Sequence, residues 1–504
     1  MTTNSRHIQL LLFFLLAFCH SQAQQKNVVF FIVDDLKPLL GAYDQSFIHS
    51  PNIDQLANQS AVFTQAYTQQ ATCGPSRISF LTGMRPDYTK VYDSHTYMRN
   101  VNPDILTIPQ HFKNNSYQTV GMGKVFHMAK KDDPRSWTLP FTDEKDLPYS
   151  RETGPPVMKH YQLPEMKEIM AGLDDDEDEP DRDDLRKQNV YPATESLDLP
   201  DDAYSDGAMA VKSIKLLNKF KQEGGPFLLT VGFNKPHLPF IAPKKYWDLY
   251  DRESIQLAPY QKVAENSPPY AYHQSLELQN YSDIPSNLDI DHPLSEDKQR
   301  ELIHAYYACI SYVDAQIGKI IDELKSLDLY ENTVIVLIGD HGWHLGDHGL
   351  WNKHTNFEQA TRTTLIIHSA GMTERITNSS PVELLDVFPT LCDLTELPIP
   401  ELLQGKSLGP IIRKEAESVK EIAISQYPRD NMMGYSARSS RYRYTEWHKE
   451  NAIVNGEYDG KNIKAKELYD YEIDPLETKN LRDDPAYKDV LVEIRTNLQK
   501  VIKK

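Results

Sequence analysis

Positive charge is in deficit: 54 Lys and Arg stand against 72 Asp and Glu, a formal net charge of -18. A chain this acidic repels a phosphate backbone, which argues against a nucleic-acid partner. An acidic protein still binds anions where its basic groups gather in one pocket. After the first two dozen residues no segment is long and apolar enough to span a membrane. No internal repeat occurs. Cysteine is rare, at positions 19, 73, 309 and 392. Removal of the N-terminal segment leaves three, and an odd count in an exported chain leaves at least one thiol that intramolecular disulfides do not explain. Cys309 and Cys392 fall in apolar helical patterns and read as core residues, so Cys73 is left over.

At the N-terminus Arg6 and His7 precede the apolar run Ile8 to Phe18, and Ser21-Gln22-Ala23 supplies small residues for cleavage. Residues 1–23 therefore read as a signal peptide, with a secreted or periplasmic product. Phe18 before Cys19 fits a lipoprotein anchor poorly. The length of 504 residues suggests a large domain with a smaller companion. Short β-rich runs separated by helical patterns predict an α/β fold, a large, mostly parallel sheet covered on both faces. The strands are expected at 28–33, 118–122, 227–231, 333–338 and 364–368, and the helices at 52–61, 203–220 and 299–324. The stretch 137–200, rich in Pro and charge, reads as a long excursion at the site's rim, and its acidic run Asp174 to Asp184 as a solvated loop. After Leu408 the pattern changes to strands at 421–426, 434–447 and 467–471 and a helix at 487–503. The expected division is 24–408 for the catalytic domain and 409–504 for a C-terminal α+β subdomain.

The residues just past each strand carry the chemistry. One run ends in Asp34-Asp35, the next in Gly123-Lys124 with His127 beyond, the third in Lys235-Pro236-His237, the fourth in Asp340-His341. Ligands bind outside the carboxyl ends of strands in open α/β sheets, so four strands deliver acids, lysines and histidines to one rim. Asp34, Asp35 and Asp340 with His341 offer hard oxygen donors that suit Ca²⁺ or Mg²⁺ better than zinc. Cys73 lies in Cys73-Gly74-Pro75-Ser76-Arg77, where Pro75 is preorganised for the first turn of a helix over 76–82. A nucleophile there feels the positive helix end. Arg77, Lys124, His127, His237 and either Lys235 or Lys353 add positive charge and proton donors, a pocket for a tetrahedral oxyanion.

Cys73-Gly74-Pro75-Ser76-Arg77 with Leu81-Thr82-Gly83 resembles the signature of type I sulfatases, in the alkaline phosphatase superfamily. Val33-Asp34-Asp35-Leu36, Ser50-Pro51-Asn52-Ile53-Asp54, Gly123-Lys124-Val125-Phe126-His127, Lys235-Pro236-His237, Asp340-His341-Gly342-Trp343 and Met433-Gly434-Tyr435-Ser436 extend the likeness, in the pattern of the iduronate 2-sulfatase subgroup. The resemblance implies an alkaline-phosphatase-like fold and a formylglycine made from Cys73 by a maturation enzyme. It also implies one Ca²⁺ held by Asp34, Asp35, the modified Cys73, Asp340 and His341. One hydroxyl of the hydrated aldehyde would attack sulfur, with Arg77 and Lys124 holding the diol and sulfate oxygens. His237 and Lys353 would contact the sulfate and help the alcohol leave, and His127 would take the proton that lets the aldehyde reform. The implied substrate is a sulfated carbohydrate, either uronate-containing or a fragment of a marine or host polysaccharide.

Lys124 and His127 are three apart, which favours the iduronate-type subgroup. Asn234 and His354 depart from the subgroup where His and Tyr are expected, and both flank the pocket. The run Tyr92 to Arg99 is expected to line the sugar site through His95 and Arg99; Arg99 pairs either with a uronate carboxylate or in a structural ion pair. Two other readings stand beside the sulfatase: a phosphodiesterase or phosphonate hydrolase of the same superfamily, and a carbohydrate-binding protein with an unconverted Cys73.

Overall fold

Runs of Val, Ile and Phe make the central strands, because a strand covered on both faces has no polar side to present. The computed structural model describes residues 25–127, 133–158, 160–172, 182–449, 453–454, 457–458 and 460–502. The expected signal peptide 1–23, with Cys19, and most of the acidic run Asp174 to Asp184 lie outside the described residues. The elements that position the site are β1 (Asn27–Val33), α1 (Pro51–Ala57), β2 (Ala61–Phe63), α2 (Cys73–Thr82), β3 (Gln118–Gly123), α3 (Ser205–Glu223), β4 (Phe227–Phe233), α4 (Glu296–Ser326), β5 (Thr333–Gly339), β6 (Leu365–His368), β7 (Ile376–Asn378) and α5 (Val387–Leu394). The C-terminal part adds β8 (Ala423–Arg429), β9 (Met432–Arg438), β10 (Tyr442–His448), β11 (Ile463–Asp470) and α6 (Lys488–Ile502).

The large sheet runs in the order β7-β2-β6-β5-β1-β4-β3. Strands β3, β4, β1 and β5 are parallel, and β6 is antiparallel to both its neighbours. Side chains of β1 alternate between two cores: Val29, Phe31 and Val33 pack beneath α3 and α4, while Val28, Phe30 and Ile32 face Phe80 of α2 and Phe388 and Leu391 of α5. The chain is thus three layers, helix on sheet on helix. Helix α4 shows why its sequence folds as it does: Ser295 caps it, Glu296 and Asp297 sit in its first turn, and Leu302, Tyr306, Cys309, Val313, Ile317, Ile320 and Leu324 line one buried stripe. Helix α2 is different, with all ten residues buried. It begins at Cys73, three residues before the expected start, and ends on Gly83 in the left-handed conformation.

Strands β8 to β11 form an antiparallel sheet in sequence order. One face packs Tyr435, Tyr444 and Leu468 against Ile494, Leu498 and Ile502 of α6. The other face sets Trp447 and Tyr469 against Leu350 and Phe357 of the catalytic part. The expected single strand over 434–447 is a hairpin instead, because Ser439 and Tyr442 exchange backbone and hydroxyl hydrogen bonds that turn the chain. The expected helix over 52–61 stops at Ala57, since Ala61 and Val62 are claimed by β6 in the sheet. Just past the expected boundary at 408, Ile411 and Ile412 pack with Phe388 and Leu391 in the catalytic core.

Gly232 in β4 explains how β3 and β4 close up at their carboxyl ends: a Cβ there would lie 2.2 Å from the Lys124 carbonyl. Gly232→Ala is expected to force that backbone apart and destabilise the protein by about 1–3 kcal/mol, the usual cost of overpacking, read as an earlier midpoint in chemical denaturation.

Candidate active site

Strands β1 and β5 run side by side in register, Val33 opposite Gly339, so the residues after them meet at one edge. Asp34, Asp35 and Asp340 are all fully buried there. The Asp35 amide donates to Asp340 Oδ1 at 2.9 Å. Asp35 holds a left-handed backbone, φ 62°, which a non-glycine residue adopts at a cost. Arg77, one turn into α2 and equally buried, reaches Asp340 Oδ2 from Nε at 3.0 Å and Asp34 Oδ1 from Nη2 at 2.7 Å. Its Nη1 donates to the Lys124 carbonyl, which ties α2 to the end of β3.

Cys73 faces this cluster from the start of α2. Its Sγ lies 3.3 Å from His341 Nε2, 3.8 Å from Lys124 Nζ and 3.9 Å from Asp35 Oδ1. Ligand atoms of Asp35, Cys73, Asp340 and His341 fall within 4.8 Å of one another, and so do those of Asp34, Asp35, Cys73 and His237. Lys353 Nζ is 3.2 Å from both Asp35 oxygens and 4.8 Å above the Trp343 ring. Two left-handed residues, Asn352 at φ 84° and His354 at φ 64°, flank it and turn its side chain inward. Lys124 pairs with Asp34.

The electrostatics separate these groups. Burial raises the Cys73 thiol, yet Lys124, Lys353 and His341 outweigh it and hold the thiol well below its ordinary range. By contrast burial, aided by a nearby carboxylate, Asp206 or Asp393, drives Cys309 and Cys392 up to about 12, as inert core thiols. Burial, countered in part by His341 and Arg77, pushes Asp340 up to about 7. His237 is disfavoured as a cation by burial and by Lys124, but Asp35 and its other acidic neighbours reverse this and raise it to about 10. His127 goes the other way: burial lowers it, only partly offset by its hydrogen bond to Cys73, and its Nδ1 has no partner among the described residues.

Glu277 carries no motif, and sequence reasoning missed it. Its carboxylate lies 3.0 Å from His237 Nε2 and 3.1 Å from Lys353 Nζ, so it joins the two cations expected to contact sulfate. Of the two candidate lysines, Lys235 turns away and donates to the His237 and Pro239 carbonyls at 3.0 and 2.6 Å. Arg99 is a structural residue: it grips Asp133 through Nε and Nη2 at 3.1 and 2.6 Å and also bonds Gln110 and the Pro103 and Ile105 carbonyls. Of the two readings of Arg99, its contacts fit the structural ion pair, because its donors are spent. His95 is exposed, on a loop whose Asp93 and Ser94 backbone would be 2.8 and 2.9 Å from a Cβ at Gly74. That loop covers the residue next to Cys73. From the excursion, Glu144 accepts from Asn234 Nδ2 at 2.9 Å, so its described part reaches the site's rim.

Comparison with known proteins decides the family. The sulfatase family model matches residues 26–397, and that of the N-sulphoglucosamine sulphohydrolase C-terminal region matches 346–504. The chain belongs to the sulfatase family. It is a sulfuric ester hydrolase, which sets aside the binding-protein and phosphonate readings. Iduronate 2-sulfatase of Mus musculus is 33% identical over 94% of this chain and 94% of its own length. The Homo sapiens protein of that name is 33% identical over 92% of each. A protein solved in complex with its substrate D-glucosamine-2-N,6-O-disulfate superposes with a TM-score of 0.71 at 20% identity, over 95% of this chain and 98% of the other. The alkaline-phosphatase-like fold is that of the family, and among the described residues no helix is long and apolar enough to cross a membrane.

Arg77→Ala in this sulfatase leaves Asp34 and Asp340 buried without their shared guanidinium. The expected loss is about 3–5 kcal/mol, as for breaking a buried ion pair, measured by denaturant titration, with Arg77→Lys intermediate because a lysine lacks the fork.

Proposed function

We propose that this sulfatase is an exported, calcium-dependent enzyme that removes sulfate from a uronate-containing carbohydrate, with formylglycine made from Cys73 by a maturation enzyme. The observation that carries the reading is the set of three buried carboxylates facing a buried sulfur at a helix start. Asp34, Asp35, Asp340 and His341 fit a Ca²⁺ ion, being mostly hard oxygen donors with net negative charge. A thiolate is a soft ligand among them, and an oxygen-bearing side chain at position 73 matches the set better. The likeness to iduronate 2-sulfatase over nearly the whole chain supports the uronate, and the N-terminal apolar run supports export to a secreted or periplasmic site. When present, the hydrated aldehyde supplies one hydroxyl to attack sulfur and a second whose proton must leave, and the ion supplies positive charge beside the sulfate oxygens.

The chain's own residues supply the rest. Lys124 and Lys353 flank residue 73 and bring positive charge to a bound sulfate. Arg77 holds the acids in place. His237 stays protonated at neutral pH; its Nδ1 donates to the Leu238 carbonyl at 2.5 Å and its Nε2 faces Glu277 at 3.0 Å, which holds the imidazolium in orientation until a bound substrate displaces Glu277 and the departing alcohol takes the Nε2 proton. His127 stays neutral, bonds residue 73 and accepts a proton from it. Two histidines with pKa values driven apart thus divide the acid and base roles.

Incubation with defined sulfated mono- and disaccharides, among them 2-O-sulfated uronides, is expected to release inorganic sulfate. Cys73→Ala is expected to reduce this to background, and mass measurement of the peptide ending at Arg77 to find the thiol replaced by an aldehyde. Full turnover by Cys73→Ala would sink the formylglycine mechanism. The pH profile of kcat/KM is expected to be bell-shaped. Its acid limb falls below the ordinary histidine range, where His127 gains a proton and stops accepting one, and its alkaline limb lies above that range, where His237, raised by its acidic neighbours, loses the proton it donates. In His127→Ala the acid limb should disappear along with most of the activity.

A further inference from the structure

Among the described residues the buried guanidinium groups are matched to acids, whereas a half-buried one at the rim of the site is not. Arg77 pairs with Asp34, Arg85 with Glu383, Arg438 with Glu358 and Arg443 with Glu477. Arg429 is largely enclosed, yet among the described residues no carboxylate lies within ion-pair distance of it. Its Nη2 donates to the His354 carbonyl at 2.6 Å, and its buried Nε has no hydrogen-bond partner. A guanidinium carries five N–H donors, so most of this fork is unused by the protein. Burial without an acid lowers its pKa from the usual value, and only Tyr427 and the exposed Asp430 act against this.

The fold brings Arg429 to the pocket. Strand β8 runs beside the segment that leads into α2: Ser425 Oγ donates to the Thr68 carbonyl at 2.6 Å, and the Gln426 amide to the Gln69 carbonyl at 2.7 Å. Continuing in that direction, Tyr427 hydrogen-bonds Thr72, the residue before Cys73. Arg429, two residues on and so on the same face of the strand, stacks its guanidinium 5.1 Å from the Tyr427 ring. The carbonyl it grips belongs to His354, whose amide donates to Ala71 and which directly follows Lys353. Arg429 therefore stands on the far side of the Lys353 turn from the buried acids. The other cations are engaged: Lys124 by Asp34, Lys353 by Asp35 and Glu277, and Arg99 by Asp133.

We propose that Arg429, contributed by the C-terminal sheet, is a specificity-determining residue that binds the carboxylate of the sulfated uronide while the sulfate lies in the pocket below. This rests on the sulfatase reading above. A planar fork held flat against an aromatic ring suits two parallel hydrogen bonds to a carboxylate, which a lysine does not reproduce. The C-terminal sheet thereby sets which sugar is accepted, and the strand ends of the catalytic part set the chemistry.

The test compares a 4-nitrophenyl 2-O-sulfo-uronide with its carboxyl-reduced counterpart on the full-length, matured protein. The wild type is expected to favour the carboxylate substrate in kcat/KM by roughly tenfold or more, the order of one charge-assisted hydrogen-bonded pair. Arg429→Gln is expected to erase most of that ratio, chiefly through KM, and Arg429→Lys to restore part of it. The ratio within one preparation does not depend on how much of it is folded or matured. An unchanged ratio in Arg429→Gln overturns the proposal, and so does a wild type with no preference, since a clamp on His354 alone would treat both substrates alike. Calorimetric titration with the two desulfated glycosides needs no turnover. A carboxylate preference in binding that Arg429→Gln removes supports the assignment even if no sulfate is released, a result that would instead count against the sulfated-uronide reading. Equal binding of the two glycosides by wild type and variant overturns it.

Discussion

Three carboxylates packed side by side without solvent are the constraint on which the rest of this protein depends. Adjacent parallel strands end in register, and their next residues are Asp34, Asp35 and Asp340, each fully buried. Charges so placed repel one another and lose their hydration, a cost that only close positive partners offset. The fold answers with Arg77 from a wholly buried helix, Lys124 from the end of a third strand, and Lys353 from a turn with two left-handed residues. The backbone adapts as well, with Asp35 itself left-handed and Gly232 leaving room for the Lys124 carbonyl.

Reactivity at position 73 arises from the same crowding. The cations drawn in by the acids also surround the sulfur, so this thiol is depressed whereas Cys309 and Cys392, buried in apolar cores, are raised. Two histidines in one pocket diverge for a similar reason. His237 looks onto Asp35 and Glu277 and keeps its proton; His127 is buried with Lys124 close by and loses it. The opposed shifts of the two rings thus arise from which charges each ring meets, not from residue type.

Two layers of organisation divide the work. Parallel strand ends build a rigid floor of acids and cations, in keeping with the general tendency of open α/β sheets to bind at that edge. The C-terminal sheet leans against the Lys353 loop through Trp447, Tyr469 and Phe357, and it extends a strand along the approach to Cys73. On the proposed role of Arg429, that sheet distinguishes sugars without disturbing the floor.

Much of the floor was legible from residues alone, because strand-forming runs that end in Asp-Asp, Gly-Lys or Asp-His announce both the strand and what it presents. Cys73 and its neighbours announced themselves too, though the helix starts at Cys73, where Thr72 turns extended, earlier than Pro75 implied. The hairpin within 434–447 was hidden, since Ser439 to Arg441 carry no Gly or Pro to mark a turn. Glu277, Arg429 and the spent donors of Arg99 were beyond reach. Each acts through a partner dozens of residues away, and a charged side chain looks the same in sequence whether an acid awaits it or not. Local periodicity and strand-end chemistry thus determined the α/β class and which acids each strand presents, because both depend on neighbours in the chain. Tertiary packing alone decided which cations are neutralised and which keep donors free, because burial and pairing arise only when distant segments meet.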